Sequence, residues 1–223
     1  MQEKGQALAQ ELSENYGIES KFIYFDYKTE FDVDNSSKLK SEIEQFESVS
    51  ILINNFNDIS KKQLGELEDA QIQEQINSNI TAPTMLIKYL LNKLTFNGKR
   101  GAIINISSEA IEFHRKDEDL YSSTKSYLSH LSERLSKEQK NSIDIISVTV
   151  GPIQSKDHPS TEVLAASAES VCKHSLKTLG HESHTFGCYK HGIRHYFLNR
   201  TIEGGVIRCV ESRRKRSVVA EEH

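Results

Sequence analysis

Apolar residues along this chain change period several times, and each change marks an element. Leu8, Leu12 and Tyr16 recur every four positions, as on one helix face, and Gly17 is placed to end that helix as its C′ residue. KFIYF at 21–25 predicts a short strand closing on Asp26. Leu39, Ile43 and Phe46 mark a second amphipathic helix. VSILI at 49–53, apolar without alternation, predicts a strand buried on both faces. Helical spacing returns from 66 to 94, with Ile72, Ile76 and Ile80 on one stripe and Leu86, Leu90 and Leu94 continuing it.

GAIINI at 101–106 predicts another buried strand. Leu120, Thr124, Leu128, Leu131 and Leu135 align on one face of a helix over 118–140. IDIISVTV at 143–150 is the next strand and 160–179 the next helix. Toward the end, a strand near Phe186–Lys190 and a helix over 193–214 complete the pattern. Strands alternating with helices of this length imply crossover connections and a mainly parallel sheet, an α/β fold. With no repeat, linker or low-complexity block, residues 1–223 read as one domain. Ligands of such sheets bind beyond the carboxyl ends of the strands, where Asp26, Asn54, Asn55, Ser107, Ser108 and Gly151 fall.

Composition narrows the functional classes. A net charge of -4 gives no reason to expect a nucleic-acid partner, the only basic run being Arg213, Arg214, Lys215 and Arg216. A mean hydropathy of -0.54 predicts helices with broad solvated faces. Cys172, Cys188 and Cys209 form no CxxC pair, which fits a reducing, cytoplasmic setting. No stretch reads as a membrane span or a secretory signal.

The chemistry lies in Ser108, Tyr121 and Lys125. The pattern YxxxK also occurs as Tyr24…Lys28, on a predicted strand whose geometry separates the two groups, and as Tyr89…Lys93, with no polar strand end ahead of it. Only Tyr121…Lys125 joins helical proximity to a serine at a preceding strand end. An ammonium beside a phenol favours the phenolate, so Lys125 is expected to lower the pKa of Tyr121. Ser108 can hydrogen-bond a substrate oxygen as charge builds on it, and Tyr121 can move a proton to or from that oxygen. Pro83 has no N–H for the carbonyl of Asn79, so the long helix is expected to kink there and expose polar groups of Asn79.

Taken together, LINN (52–55), INSNITAPTMLIKYLL (76–91), GAIINISS (101–108), YSSTKSYLSHLSERLSKE (121–138) and LKTLGHESHTFGCYKH (176–191) resemble the short-chain dehydrogenase/reductases. The likeness is strongest to the 17β-hydroxysteroid dehydrogenase and very-long-chain 3-oxoacyl-CoA reductase group. It implies a Rossmann-like, doubly wound sheet and a catalytic tetrad of Asn79, Ser108, Tyr121 and Lys125. It also implies NADP(H) rather than NAD(H), reduction of a keto group on a steroid or acyl-CoA-like lipid, a homodimer, and an association with the endoplasmic reticulum. Tyr121 and Lys125 would hold the nicotinamide ribose, Asp26 the adenine amino group, and backbone at Gly151 and Ile153 would flank the nicotinamide. Asn54, grouped with the cofactor residues, would stabilise the central strand.

The chain departs from that pattern in specific places. No GxGxxG-type run occurs in the 223 residues, and Met1 coincides with the helix that follows the family's second strand. The first two strands and their glycine turn are thus expected to be missing, leaving weak cofactor binding by this chain alone. The usual NNAG is NNFN (54–57), with Phe56 and Asn57 where small residues approach the cofactor. A non-catalytic structural or assembly subunit is the alternative these departures favour. His181, His184, Cys188, His191 and His195 cluster in sequence but lack a zinc-enzyme pattern, and no metal site is assigned to them.

Overall fold

The computed structural model describes residues 2–28, 36–96, 98–113, 115–154 and 164–197. The basic run 213–216, Cys209, the predicted helix beyond 197 and the predicted start of another at 160–163 lie outside the described residues. Helix α1 spans Gln2–Tyr16 and ends at Gly17, whose φ of 62° is the left-handed cap anticipated from the sequence. Its stripe does not serve a core, however. Leu8 and Tyr16 are exposed and no residue of α1 is buried.

Residues 21–26 carry no strand, contrary to the expectation for 21–25. Among the described residues no strand pairs with this segment, and Phe25 instead joins the buried cluster of Leu39, Ile43 and Ala82. Helix α2 (Ser36–Glu44) buries Leu39 and Ile43 as expected. Strand β1 is Ile51–Asn54, shifted from the predicted 49–53, and it is not buried on both faces. It forms the sheet edge, where Ile51 and Ile53 are exposed by 42% and 57%.

The long helical stretch resolves into α3 (Asp69–Ile76), a wide π turn at Asn77–Thr81, and α4 (Ala82–Leu90). The anticipated break at Asn79 is therefore real. It takes the form of a π turn, in which the Ala82 N–H reaches the Asn77 carbonyl, rather than a simple kink. Strands β2 (Thr95–Phe96) and β3 (Lys99–Ser108) form a hairpin. Helix α5 (Asp119–Glu138) then leads to β4 (Ile143–Val150), both close to the predicted bounds.

The final elements are β5 (Ile153–Gln154), β6 (Ala166–Ser167), α6 (Ala168–Thr178), β7 (His184–Thr185) and a helix over 189–197, α7. Strand β7 comes two residues before the predicted 186–190, because the turn at Gly187 with φ of 71° stops the ladder and α7 starts at once. The sheet runs β1-β3-β4-β7 with parallel neighbours throughout, and β2 is antiparallel to β3.

Alternation along the sheet assigns its two faces. Ile103 and Ile145 face Ala82, Ile87 and Leu90 of α4 and the buried residues of α2. Ile104, Ile146 and Val148 face Ala166, Val171 and Cys188. With both faces of β3 and β4 covered, the polar residues at the carboxyl ends of β1, β3 and β4 are where a site can form. Among the described residues no helix is long and apolar enough to cross a membrane.

Candidate functional site

Four stretches meet where β1 and β3 end. Helix α5 turns Tyr121, Thr124, Lys125, Leu128 and Ser132 inward, a spacing of three and four that keeps them on one face. Tyr121 is 7% exposed and Lys125 2%. The Lys125 ammonium stands 5.7 Å from the centroid of the Tyr121 ring. Ser108 closes β3, caps the short turn that follows by accepting from the Ala110 N–H at 3.2 Å, and lies close enough to Tyr121 to act on its phenol. Asn79 enters from the π turn, whose extra residue turns its side chain inward to 1% exposure.

The residues these groups engage form one strap, Phe56-Asn57-Asp58, just beyond β1. Lys125 Nζ donates to the Phe56 carbonyl and, at 3.0 Å, to that of Ile106. The Tyr121 hydroxyl donates to Asn57 Oδ1 at 2.8 Å. Asn79 brackets Asp58, accepting from its N–H at 3.1 Å and donating to its carbonyl at 2.7 Å, and it also donates to Thr124 Oγ1 at 3.2 Å. Lys28 pairs with the Asp58 carboxylate at 2.7 Å, and Tyr27 meets the Phe56 ring edge-on at 4.8 Å. The predicted Asn79, Ser108, Tyr121 and Lys125 thus converge on one place, and three of the four are tied to the strap.

Electrostatically the pair departs from the sequence expectation. Burial raises the pKa of Tyr121, and the Glu118 carboxylate adds to it. Ser108 and the Arg115 charge work the other way. Burial lowers the ammonium of Lys125 to about 8. Lys125 does not depress the phenol here because its ammonium turns to two carbonyl oxygens and is itself held in a medium that disfavours charge.

The remaining predicted residues are more dispersed. Asn54 is fully buried and donates to Asn105 Oδ1 at 2.8 Å, while its own Oδ1 has no partner among the described residues. Asp26 accepts from the Lys28 N–H at 3.0 Å, capping its own turn. Gly151 lies at the end of β4 against Glu109 and His191, and Ile153 is partly exposed in the small β5–β6 pairing. Of the histidine-rich stretch, His191 is buried and holds the Gly151–Pro152 turn, whereas Cys188 joins an apolar cluster. Among the described residues no three His, Cys, Asp or Glu side chains gather closely enough to hold a metal.

Several polar residues escaped the sequence reading. Glu109 is buried between Arg115 and Arg194, and Asn105 links Asn54 to Ser132 Oγ at 2.8 Å. The only sequence signal for Asn57 was the substitution of a bulky residue in NNFN. For a nicotinamide cofactor the donor chemistry fits at the reacting end: a buried ammonium and a phenol on one helix face can both bond a ribose diol. Those donors are engaged by Phe56 and Asn57, so such a ligand has to replace the strap's acceptors.

Comparison with known proteins agrees with this architecture. A family model described as short chain dehydrogenase matches residues 1–162. The human 17-beta-hydroxysteroid dehydrogenase type 3 is 28% identical over 203 residues, covering 88% of this chain and 64% of that protein. The very-long-chain 3-oxoacyl-CoA reductase of Anas platyrhynchos is 27% identical over 206 residues, covering 86% of this chain and 62% of its own length. The chain therefore spans less than two thirds of either relative. In fold it is similar to the bulky-bulky ketone specific alcohol dehydrogenase of Comamonas testosteroni, with a TM-score of 0.70 and 21% identity over 90% of this chain and 78% of that one.

Proposed function

Because this chain belongs to the short-chain dehydrogenase family, we propose that it carries the reacting centre of an NAD(P)(H)-dependent oxidoreductase that interconverts a keto and a hydroxyl group. The observation that carries this reading is the meeting of Tyr121, Lys125, Ser108 and Asn79 at the end of β3, three of them closed on residues 56–58. A steroid or 3-oxoacyl-CoA-like lipid is the proposed substrate class, supported by the names of the two relatives. NADP(H) rather than NAD(H) is the proposed cofactor, as the family resemblance of the sequence implies.

A nicotinamide cofactor, when bound, supplies the hydride that reaches the carbonyl carbon. The chain's own groups handle the oxygen. Ser108 hydrogen-bonds it as negative charge develops, and Tyr121 transfers its phenolic proton to it, leaving a phenolate. Once a ligand has replaced the strap's acceptors, Lys125, on the same helix face, provides the positive charge that stabilises this phenolate and a donor for the ribose. Asn79 keeps strap and helix in register through Asp58 and Thr124. In the oxidative direction the phenolate takes the hydroxyl proton back.

Tyr121→Phe tests this in the protein carrying this chain. Removing the proton donor is expected to lower turnover of a ketone by about 10²–10⁴-fold. The NADPH dissociation constant should move less than about tenfold, the worth of one hydrogen bond. Unchanged turnover would remove Tyr121 from the chemistry and the proposal with it.

A further inference from the structure

The Tyr121 hydroxyl has one proton, and in this structure that proton is directed at Asn57 Oδ1, 2.8 Å away. The contact joins an exposed carboxamide to a buried phenol. Asn57 is flanked by two residues that other groups fix: Phe56 through its carbonyl to the buried Lys125, and Asp58 through both backbone groups to the buried Asn79 and its carboxylate to the exposed Lys28. These contacts hold the Asn57 backbone beside Tyr121, and its exposed side chain reaches the buried phenol from the solvent side. The carboxamide therefore occupies the direction in which Tyr121 would have to meet the oxygen of a ligand.

We propose that Asn57 is a positioning residue for Tyr121: its carboxamide oxygen holds the phenolic proton, keeps the residue in its acid form, and yields its place to a ketone or hydroxyl oxygen of the ligand. The inference rests on the reading of Tyr121 as the group that moves the proton. Its physical content is simple. A hydrogen bond made by the neutral phenol is lost when the phenol ionises, and the phenolate then faces the negative end of the amide carbonyl dipole. Asn57 thus opposes ionisation. A glycine there makes no such contact.

Other groups act on the same phenol from each side. Ser108 at the end of β3 and Arg115 on the following loop favour the phenolate, while Glu118 just before α5 opposes it. Lys125 lies 5.7 Å from the ring centroid on α5, and Asp58 on the strap is neutralised by Lys28. All of them remain in a variant changed at Asn57 alone, so a shift in that variant reports the carboxamide.

The test follows phenolate absorbance with pH in the 223-residue chain, with no cofactor added. The chain has eight tyrosines, so each titration is subtracted from that of the matching Tyr121→Phe protein, leaving the Tyr121 curve. Asn57→Gly is expected to raise the acid dissociation constant of Tyr121 by roughly 3- to 10-fold, as befits one hydrogen bond. Asn57→Asp, close in shape but charged, is expected to lower it. A role limited to closing the loop would change thermal stability and leave both curves in place. Midpoints that do not move in either variant, or that move in the reverse order, overturn the proposal. If Asn57→Gly fails to fold, the Asp variant decides the matter through its opposite shift. Absence of ketone reduction by the unaltered protein would count against the oxidoreductase reading and leave the Asn57 titration result standing.

Discussion

Asn54 and Asn105 face each other across the parallel strands β1 and β3, the Asn54 amide donating to Asn105 Oδ1 at 2.8 Å with both residues fully buried. Asn105 passes the relay to Ser132 Oγ at 2.8 Å, and that hydroxyl donates to the Leu128 carbonyl at 2.7 Å. Edge strand, inner strand and the helix bearing Tyr121 and Lys125 are joined by one line of polar contacts. The strap 56–58 begins two residues after Asn54, so this line also sets where the strap starts.

Replacing Asn105 by Ala should therefore be costly out of proportion to its size. It strands the Asn54 amide and removes the partner of Ser132, and each unsatisfied buried group is worth about 1–3 kcal/mol. Urea unfolding of Asn105→Ala is expected to give a loss of roughly 2–4 kcal/mol. Asn54→Ala strands the Asn105 oxygen but also removes the Asn54 Oδ1 that already lacks a partner among the described residues, and should lose less. Equal and small losses for both would mean that the relay does not hold β1 to the sheet.

The four proposed site residues were legible in the sequence because their signals are local. Tyr121 and Lys125 share a helix face by spacing alone, Ser108 ends a mainly apolar strand, and Pro83 points to the break at Asn79. What the strap does was not legible, since it depends on contacts between residues 21 to 69 positions apart. The same limit explains the misread edges. The Leu8 and Tyr16 stripe and the Ile51 and Ile53 side chains have the pattern of buried elements, but whether a pattern is buried depends on which neighbour covers it. The direction of the Tyr121 shift was missed for a related reason. Proximity of an ammonium can be read from spacing, but its burial and its carbonyl partners cannot.

Lys125 should make stability depend on pH with a definite sign. An unfolded lysine releases its proton near 10.5, the folded one at about 8. Below 8 both states keep the proton, and the full burden of the buried charge is present. Between about 8 and 10.5 the unfolded chain binds more protons than the folded one, so stability rises with pH, by up to about 3 kcal/mol across the window. Tyr27 and Tyr121, both raised by burial, act in the opposite sense above about pH 10, where the unfolded phenols ionise first. Comparison with Lys125→Met removes their contribution. Relative to that variant the unaltered chain should gain stability from pH 8 to 10.5 in urea or thermal unfolding; parallel curves would show that Lys125 is not shifted.

The turn after β4 offers a steric test. A methyl group at Gly151 would lie 2.9 Å from Glu109 Oε2 and 2.9 Å from His191 Cδ2. Neither neighbour is free to retreat. Glu109 is held by Arg115 and, at 2.9 Å, by Arg194. His191, 2% exposed, accepts from the Gly151 N–H at 3.2 Å through Nδ1 and donates from Nε2 to the Pro152 carbonyl at 3.1 Å. Gly151→Ala should then lose about 1–3 kcal/mol, the range for an overpacked core. It should also displace Glu109, the residue next to Ser108, and so impair ketone turnover beyond what the loss of folded protein explains. Gly65→Ala, where the added carbon meets nothing within 4 Å, is the control and should stay within about 0.5 kcal/mol of the unaltered chain. If the two alanine variants prove equally stable, the packing of α7 against the β4 exit is looser than these contacts require.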